Sequence, residues 1–237
     1  VIPYFLDFTR RWPSIEALAA APIDNVLAAW AGLGYYARAR NLHKAAVMVA
    51  REWGGEFYQP DNSISNGTTN ICKDCDHHLR ALPGVGPCGV GAISAIAFGH
   101  QAVVVDGNIE RLFSRYFGIE TPLPAAKIEI EMIYQSLLPV NRPSDFPQAL
   151  MDFANSVCTP KLPKCMGCCL AESCAALAKD IVETLPIKPP KVAKPLRSAS
   201  VFVAINHRGE VFLHRRPEKG LLGGMLGFPE VGLSSRT

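Results

Sequence analysis

A glycine turn that opens a helix is the feature that most constrains this chain. The turn at 82–86 (LPGVG) precedes a helix of small residues predicted over 89–98 and then an apolar run over 103–105. Backbone N–H groups at a helix start are unpaired and carry the positive end of the helix dipole, so such a turn can bind a phosphate. The apolar run ends in the segment 106–108 (DGN), which exposes a carboxylate. The pattern predicts either a phosphate-binding turn beside a reactive carboxylate or an ordinary helix–turn–helix followed by a turn at 106–107.

The composition predicts a folded chain of one large or two modest domains. The 237 residues are 49% hydrophobic and 19% charged, which is enough apolar sequence for a core. The net charge of +3 is too small to indicate a polyanionic partner, although basic residues concentrate over 38–51 and 188–197. We expect no membrane-spanning helix, because the sequence lacks a run of about 18 apolar residues. The N-terminus does not resemble a signal peptide.

Helical patterns dominate the chain as far as residue 156. Ser14 and Asp24 are predicted N-caps of two early helices, and Asn108 is the predicted N-cap of a helix over 109–117. A second glycine turn at 32–36 (GLGYY) precedes a helix with a basic face over 37–53. Its tyrosines are either a stacking wedge beside phosphate contacts or core aromatics.

Four cysteines with the spacing C-x6-C-x2-C-x5-C are the strongest single signal for a bound group. They are Cys158, Cys165, Cys168 and Cys174. Four thiolates in one tight loop fit a tetrahedral metal such as zinc or a cubane iron–sulfur cluster, and their clustering disfavours a disulfide framework. Cys169 is predicted to be a fifth, non-ligating thiol. The lysines of the same loop, Lys161 and Lys164, would present positive charge to a nucleic-acid backbone.

Two further segments interrupt the helical pattern. A polar loop over 59–78 contains Cys72 and Cys75, and a surface insertion with reduced thiols is favoured there over a metal site. Proline and lysine mark a linker over 184–198, after which strands are predicted over 200–205 and 210–214 around a turn at 206–209. We therefore predict a first domain over 1–183, a linker over 184–198 and an incomplete second domain over 199–237.

In combination, these segments resemble the MutY-type adenine DNA glycosylases of the helix–hairpin–helix superfamily, which includes endonuclease III. The resemblance covers almost the whole chain. It rests on the segments 32–43, 82–86 and 105–108, the four-cysteine spacing and the segment that ends in Phe228-Pro229. It implies a mostly α, helix–hairpin–helix DNA glycosylase with an iron–sulfur cluster loop, followed by a Pro-rich linker and the start of a Nudix-like α/β domain.

The resemblance also implies an activity and a set of site residues. The activity is base-excision repair of double-stranded DNA, by hydrolysis of the N-glycosidic bond of a flipped adenine mispaired with 8-oxoguanine or guanine. Asp106 would stabilise or trap an oxocarbenium-like sugar, and Asn108 would orient it. The implied DNA-binding residues are Leu33, Tyr35, Arg38, Arg40, Pro83, Gly84, Val85, Gly86 and Cys88. The implied cofactors are a [4Fe-4S] cluster on the four cysteines and a monovalent cation at the hairpin.

Several departures from the family pattern qualify these expectations. Cys88 stands where endonuclease III has its lysine nucleophile, which favours a monofunctional hydrolase over a lyase. The family's general-acid glutamate matches a segment before Val1, and its lesion-checking domain extends beyond Thr237, so we expect a chain truncated at both ends. The alternatives are a non-catalytic DNA-binding fragment and an endonuclease III-like glycosylase/lyase. We expect an intracellular monomer without membrane association, which in a bacterium would be cytoplasmic and nucleoid-associated.

Overall fold

The computed structural model describes residues 2–57, 78–190, 196–217, 220 and 222–236. The predicted insertion with Cys72 and Cys75 lies outside these residues. The chain forms two compact units, residues 1–189 and 190–237, and each is described by itself. Among the described residues, no helix is both long enough and apolar enough to span a bilayer.

The first unit is helical, as predicted. Its helices are α1 (Ile2–Arg11), α2 (Ile15–Ala20), α3 (Ile23–Ala29), α4 (Ala37–Glu52), α5 (78–81), α6 (Pro87–Ala92), α7 (Gly107–Phe117), α8 (Ala126–Ser136), α9 (Asp145–Ser156) and α10 (Ala175–Ala178). A π-helical turn, Ile93–Ala97, continues α6. Two short 3-10 turns, Cys165–Gly167 and Ala171–Ser173, lie between α9 and α10.

The helix starts correct two predictions and confirm one. Ser14 caps α2 as predicted, because its Oγ accepts a hydrogen bond from the Ala17 N–H at 3.2 Å. The predicted cap at Asn108 is wrong: α7 starts earlier, and Asp106 is its N-cap. The predicted cap at Asp24 is also wrong, since Pro22 occupies the N-cap position of α3 and Asp24 lies in its first turn. An aspartate is favourable there too, because it faces the positive end of the helix dipole.

Two apolar clusters hold the hairpin and the start of α7 in place. One cluster includes Leu82 of the hairpin turn and Val90 of α6. The other surrounds α7 and includes Val104 and Val105 of the apolar run that leads to it. Helix α6 packs closely on the apolar run at Gly91, where a Cβ would lie 2.1 Å from the carbonyl oxygen of Val103. This close approach fixes α6 against the segment that ends at Asp106.

The second unit is built from short antiparallel strand pairs. Strand β1 (Leu196–Val201) pairs with β4 (Glu230–Arg236), and β2 (His214–Arg215) pairs with β3 (Leu226–Gly227). The predicted strands over 200–205 and 210–214 are only partly correct. The two segments are joined by an isolated bridge between Ile205 and Val211 and by a hydrogen bond of 2.9 Å from the Phe212 N–H to the Ala204 carbonyl, but they do not form a continuous ladder. The turn at 206–209 is confirmed by a hydrogen bond of 3.0 Å from the Gly209 N–H to the Asn206 carbonyl.

Candidate functional site

The hairpin between α5 and α6 presents open backbone donors. Leu82 is buried beneath it, and the Val85 N–H closes the turn on the Leu82 carbonyl at 3.1 Å. Gly84 has a φ of +83°, and a Cβ there would lie 2.7 Å from Cβ of Asn41 in α4, so both the turn and its packing require glycine. Within the described part of the chain, the N–H groups of Gly84 and Gly86 donate no hydrogen bond. These donors are available to a ligand, and Gly86 also caps α6.

Asp106 is a half-buried carboxylate held by three donors. Its Oδ1 accepts hydrogen bonds from the backbone N–H groups of Asn108 at 3.0 Å and Ile109 at 2.9 Å. Its Oδ2 accepts a hydrogen bond from the side-chain amide of Asn108 at 2.8 Å. A carboxylate has about four acceptor positions. The three donors therefore fix the orientation of Asp106 and leave a position on Oδ2 open.

Cys88, in the first turn of α6, lies close enough to this carboxylate to sense its charge. Its side chain packs against the cluster around α7. Burial raises the pKa of the Cys88 thiol, and the nearby negative charge of Asp106 raises it further. Cys88 also lines a cavity of about 460 Å³. The Oγ of Ser94 and the Nδ1 of His100 are buried beside that cavity without a hydrogen-bond partner among the described residues, and Asp106 does not line it.

The second glycine turn directs one tyrosine into solvent. Tyr35 is 84% exposed and has a φ of +49°, whereas Leu33 and Tyr36 are half-buried. A side chain that precedes the turn stabilises it: Nε1 of Trp30 donates a hydrogen bond to the Gly34 carbonyl at 3.0 Å. Tyr35 is therefore not a core aromatic. In the first turn of α4, Arg38 is exposed and Arg40 is half-buried.

The four predicted cysteine ligands come together. Cys158, Cys165, Cys168 and Cys174 all line one cavity of about 30 Å³, whereas Cys169 is exposed. Backbone and side-chain N–H groups point at two of the sulfurs. The Leu170 N–H lies 3.4 Å from Sγ of Cys168, and Nη1 of Arg115 lies 3.5 Å from Sγ of Cys158. All the cysteines that the structure describes are free thiols.

The four cysteines share one cavity, but they do not converge on a single point. Among the residues described, no group of three or more His, Cys, Asp or Glu could hold a metal ion. The ligands of a zinc ion must converge on one point, whereas a [4Fe-4S] cluster takes one thiolate at each iron and is surrounded by its ligands. Four cysteines around a common cavity, with N–H donors at the sulfurs of Cys158 and Cys168, supply the donor set that such a cluster needs.

Two buried arginines were missed by the sequence analysis. Arg111 and Arg115 of α7 are only 8% and 2% exposed. Arg111 donates to the carbonyls of Ala154 and Cys158 at 2.7 and 2.9 Å, and its burial lowers its pKa. Arg115 donates to the carbonyl of Thr159 at 2.7 Å. Two arginines four residues apart on the apolar face of a helix are the signal that could have identified them.

Comparison with known proteins defines the family. Residues 1–138 match the model of the HhH-GPD superfamily base excision DNA repair proteins, and the chain belongs to this family. The match confirms the helix–hairpin–helix repair fold expected from the sequence.

Two bacterial relatives are adenine DNA glycosylases of Buchnera aphidicola. The protein of subspecies Schizaphis graminum is 30% identical over 238 residues, which is 100% of this chain and 64% of the relative. The protein of subspecies Acyrthosiphon pisum is 33% identical over 231 residues, which is 97% of this chain and 61% of the relative. The chain thus spans less than two thirds of the length of either relative.

A solved structure supports the same fold. The structure of a trapped endonuclease III–DNA covalent intermediate matches with a TM-score of 0.61 and 22% sequence identity. The match covers 76% of this chain and 76% of that chain. At this identity the likeness concerns the fold of the backbone.

Proposed function

We propose that the protein hydrolyses the N-glycosidic bond of adenine mispaired with 8-oxoguanine or guanine in double-stranded DNA. The observation that carries this proposal is the Asp106 carboxylate, which is fixed by three donors and keeps an acceptor position open. The names of the two bacterial relatives favour adenine as the excised base.

The two glycine turns would bind the DNA. The free N–H groups of Gly84 and Gly86 suit a backbone phosphate, with Pro83 and Val85 shaping the turn around them. Tyr35, together with Leu33, would enter the duplex beside the flipped base, and Arg38 and Arg40 would neutralise phosphates. The monovalent cation at the hairpin is a prediction that rests on the family resemblance alone.

Asp106 would act on the sugar. Loss of the base builds positive charge on the sugar, and an oriented carboxylate stabilises that charge or forms a transient ester with the sugar. Water then supplies a hydroxyl group to the sugar carbon and, in the net reaction, a proton to the departing base, so the products are free adenine and an abasic site. Asn108 keeps Oδ2 of Asp106 directed by its hydrogen bond of 2.8 Å. Cys88 offers no amine for a Schiff base, which favours a hydrolase over a lyase.

The cysteine loop would hold a [4Fe-4S] cluster. Its ligands would be Cys158, Cys165, Cys168 and Cys174, and the N–H groups of Arg115 and Leu170 would donate to two of the sulfurs. When bound, the cluster would tie the loop into a fixed shape. Lys161 and Lys164 on that loop would then add phosphate contacts.

The remaining architecture is also a proposal. We place the glycosylase domain at 1–183, the linker at 184–198 and the start of a Nudix-like domain at 199–237. The protein is proposed to act as a monomer.

The direct test is the substitution Asp106→Asn. Asparagine is as good an N-cap as aspartate, so the start of α7 should be retained. Single-turnover excision of adenine opposite 8-oxoguanine should fall by a factor of about 10³ or more. The Kd for the same duplex should change by less than about twofold, because the lost interaction is specific to the transition state.

Asp180→Asn is the matched control, because it makes the same chemical change at an exposed carboxylate. It should leave both the excision rate and the Kd unchanged. An equal loss of binding and excision in Asp106→Asn would contradict the catalytic role of Asp106.

The same assay separates the alternatives. Borohydride reduction during turnover traps a Schiff base, so a covalent DNA adduct would favour an endonuclease III-like glycosylase/lyase. Tight binding of the duplex without excision would favour a non-catalytic DNA-binding protein.

A further inference from the structure

We infer that Arg38 is a positioning residue that holds the exposed ring of Tyr35 in place and joins it to a DNA phosphate. The inference rests on the proposed function, because it assigns Tyr35 the role of a wedge in the duplex. The sequence alone predicts Arg38 only as a phosphate contact.

The guanidinium of Arg38 contacts two aromatic rings at once. Its Cζ lies 5.8 Å from the ring centroid of Trp30 and 5.4 Å from that of Tyr35. Both distances lie within the range of about 6 Å at which a cation is attracted to an aromatic face. Trp30 is itself fixed, because it is half-buried and its Nε1 donates to the Gly34 carbonyl. Arg38 therefore links an anchored ring to an exposed one.

Tyr35 needs such support. Its side chain is 84% exposed, so packing does little to fix its rotamer. Its φ of +49° lies in the left-handed region, which is unfavourable for a non-glycine residue. Arg38 acts on the backbone as well, because its N–H donates to the Tyr35 carbonyl at 2.8 Å. One residue thus holds both the strained backbone and the ring of the wedge.

The chemistry of guanidinium allows a second, simultaneous contact. The group is planar, so its faces can meet aromatic rings while its N–H donors point outward in the plane. Among the described residues, none accepts a hydrogen bond from the Arg38 side chain, and none forms an ion pair with it. These donors are available to a phosphate. A phosphate that binds Arg38 would therefore also bias the orientation of Tyr35. In this way, contact with the DNA backbone would be coupled to insertion of the Tyr35 ring into the duplex.

Arg38→Lys tests this coupling, because lysine keeps the charge and loses the planar face. The readouts are the Kd for mismatched and matched duplexes, its salt dependence, and the fluorescence of 2-aminopurine placed beside the mismatch. We expect an unchanged salt slope, a twofold to fivefold loss of preference for the mismatched duplex, and a weaker 2-aminopurine response. Arg51→Lys, an exposed substitution on the same helix, is the control and should change none of these.

A double-mutant cycle separates positioning from simple charge. In a Tyr35→Ala background, Arg38→Lys should have no further effect on the preference for the mismatched duplex. If Arg38 only neutralised a phosphate, Arg38→Lys would have the same small effect in both backgrounds. In that case Arg38→Gln would lower the salt slope by about 1 without changing the 2-aminopurine response, and the inference would be overturned.

The contact can also be measured without DNA. The ring currents of Tyr35 and Trp30 should both shift the Nε–H proton of Arg38 upfield in the NMR spectrum, and Tyr35→Leu should remove the part of that shift that comes from Tyr35. Mismatch discrimination without the Tyr35 part of the shift would overturn this inference alone. The Tyr35 part of the shift without mismatch discrimination by the wild-type protein would instead overturn the proposed function and, with it, the role of Arg38 in DNA binding.

Discussion

Asn108 accepts a hydrogen bond from Nη2 of Arg111 at 3.2 Å while its own amide donates to Oδ2 of Asp106 at 2.8 Å. Arg111 also donates to the carbonyls of Ala154 and Cys158. A continuous hydrogen-bonded path therefore joins the proposed catalytic carboxylate to the backbone of a proposed cluster ligand. Arg111 fixes the amide of Asn108 in the orientation that donates to Asp106.

Arg111→Met should lower the free energy of unfolding by about 2–4 kcal/mol, because it leaves buried acceptors without a donor. Adenine excision should fall more than DNA binding, since Asn108 loses the group that orients it. Urea unfolding and single-turnover excision measure the two effects. Arg142→Met is the control. Its side chain is 84% exposed, so it should cost at most about 1 kcal/mol. Equal unfolding free energies for the two variants would contradict the role of Arg111.

Two glycines of α6, Gly91 and Gly89, allow a matched pair of alanine substitutions that tests how closely α6 packs on the 103–105 run. Gly91→Ala would bring a Cβ within 2.1 Å of the Val103 carbonyl oxygen, so we expect a loss of about 3 kcal/mol in stability. Gly89→Ala meets only Cγ1 of Val85 at 3.4 Å, an ordinary contact, and should be neutral or stabilise by up to about 1 kcal/mol. Thermal unfolding of both variants tests the difference. A Gly91→Ala variant as stable as wild type would mean that α6 does not pack closely on the 103–105 run.

The local geometry around the hairpin and the cysteines was largely predictable from the sequence, because it depends on short-range patterns. The turn at 82–86 needs glycine for its backbone, and the four cysteines meet because they lie within one short loop. The cap of α7 was assigned two residues too late. Asp106 and Asn108 are both good N-caps, and only the three-dimensional path of the apolar run decides between them.

Features that depend on distant partners could not be predicted. Arg111 and Arg115 can be buried because carbonyls of α9 and the cysteine loop accept hydrogen bonds from their guanidinium groups. Those carbonyls lie more than 40 residues away in the sequence. In the second unit, β1 pairs with β4 rather than with the neighbouring segment that alternates in the same way. The exposure of Tyr35 was left open by the sequence, since an aromatic beside a glycine turn is compatible with core and surface alike.

Serine substitutions test the cluster ligands one at a time. Replacing any one of Cys158, Cys165, Cys168 and Cys174 should abolish or strongly reduce the visible absorbance of an iron–sulfur cluster. Iron content should fall from about four atoms per chain. Cys169→Ser should keep both, because Cys169 is exposed and does not line the cavity. A colourless wild-type protein with one zinc per chain would show that the cysteines bind a single ion instead.

The reactivity of Cys88 tests its position beside Asp106. The reactive species of a thiol is the thiolate, and burial followed by the charge of Asp106 raises the pKa of Cys88. At neutral pH, Cys88 therefore contains less thiolate than an ordinary thiol with a pKa of about 8.5, and iodoacetamide should modify it more slowly than the exposed Cys169. The midpoint of its pH–rate profile should lie at higher pH than that of a free cysteine thiol.

Charge substitutions should move the Cys88 profile in opposite directions. Asp106→Asn removes a negative charge that raises the pKa of Cys88, so the midpoint should shift to lower pH and alkylation at a fixed pH should become faster. Lys127→Gln removes a positive charge that lowers the same pKa, so the midpoint should shift to higher pH. Mass spectrometry of the peptide that contains Cys88 gives the rate in each variant. If neither substitution moves the midpoint, Cys88 does not sense the charge of the proposed catalytic carboxylate, and the arrangement of hairpin and Asp106 described above is wrong.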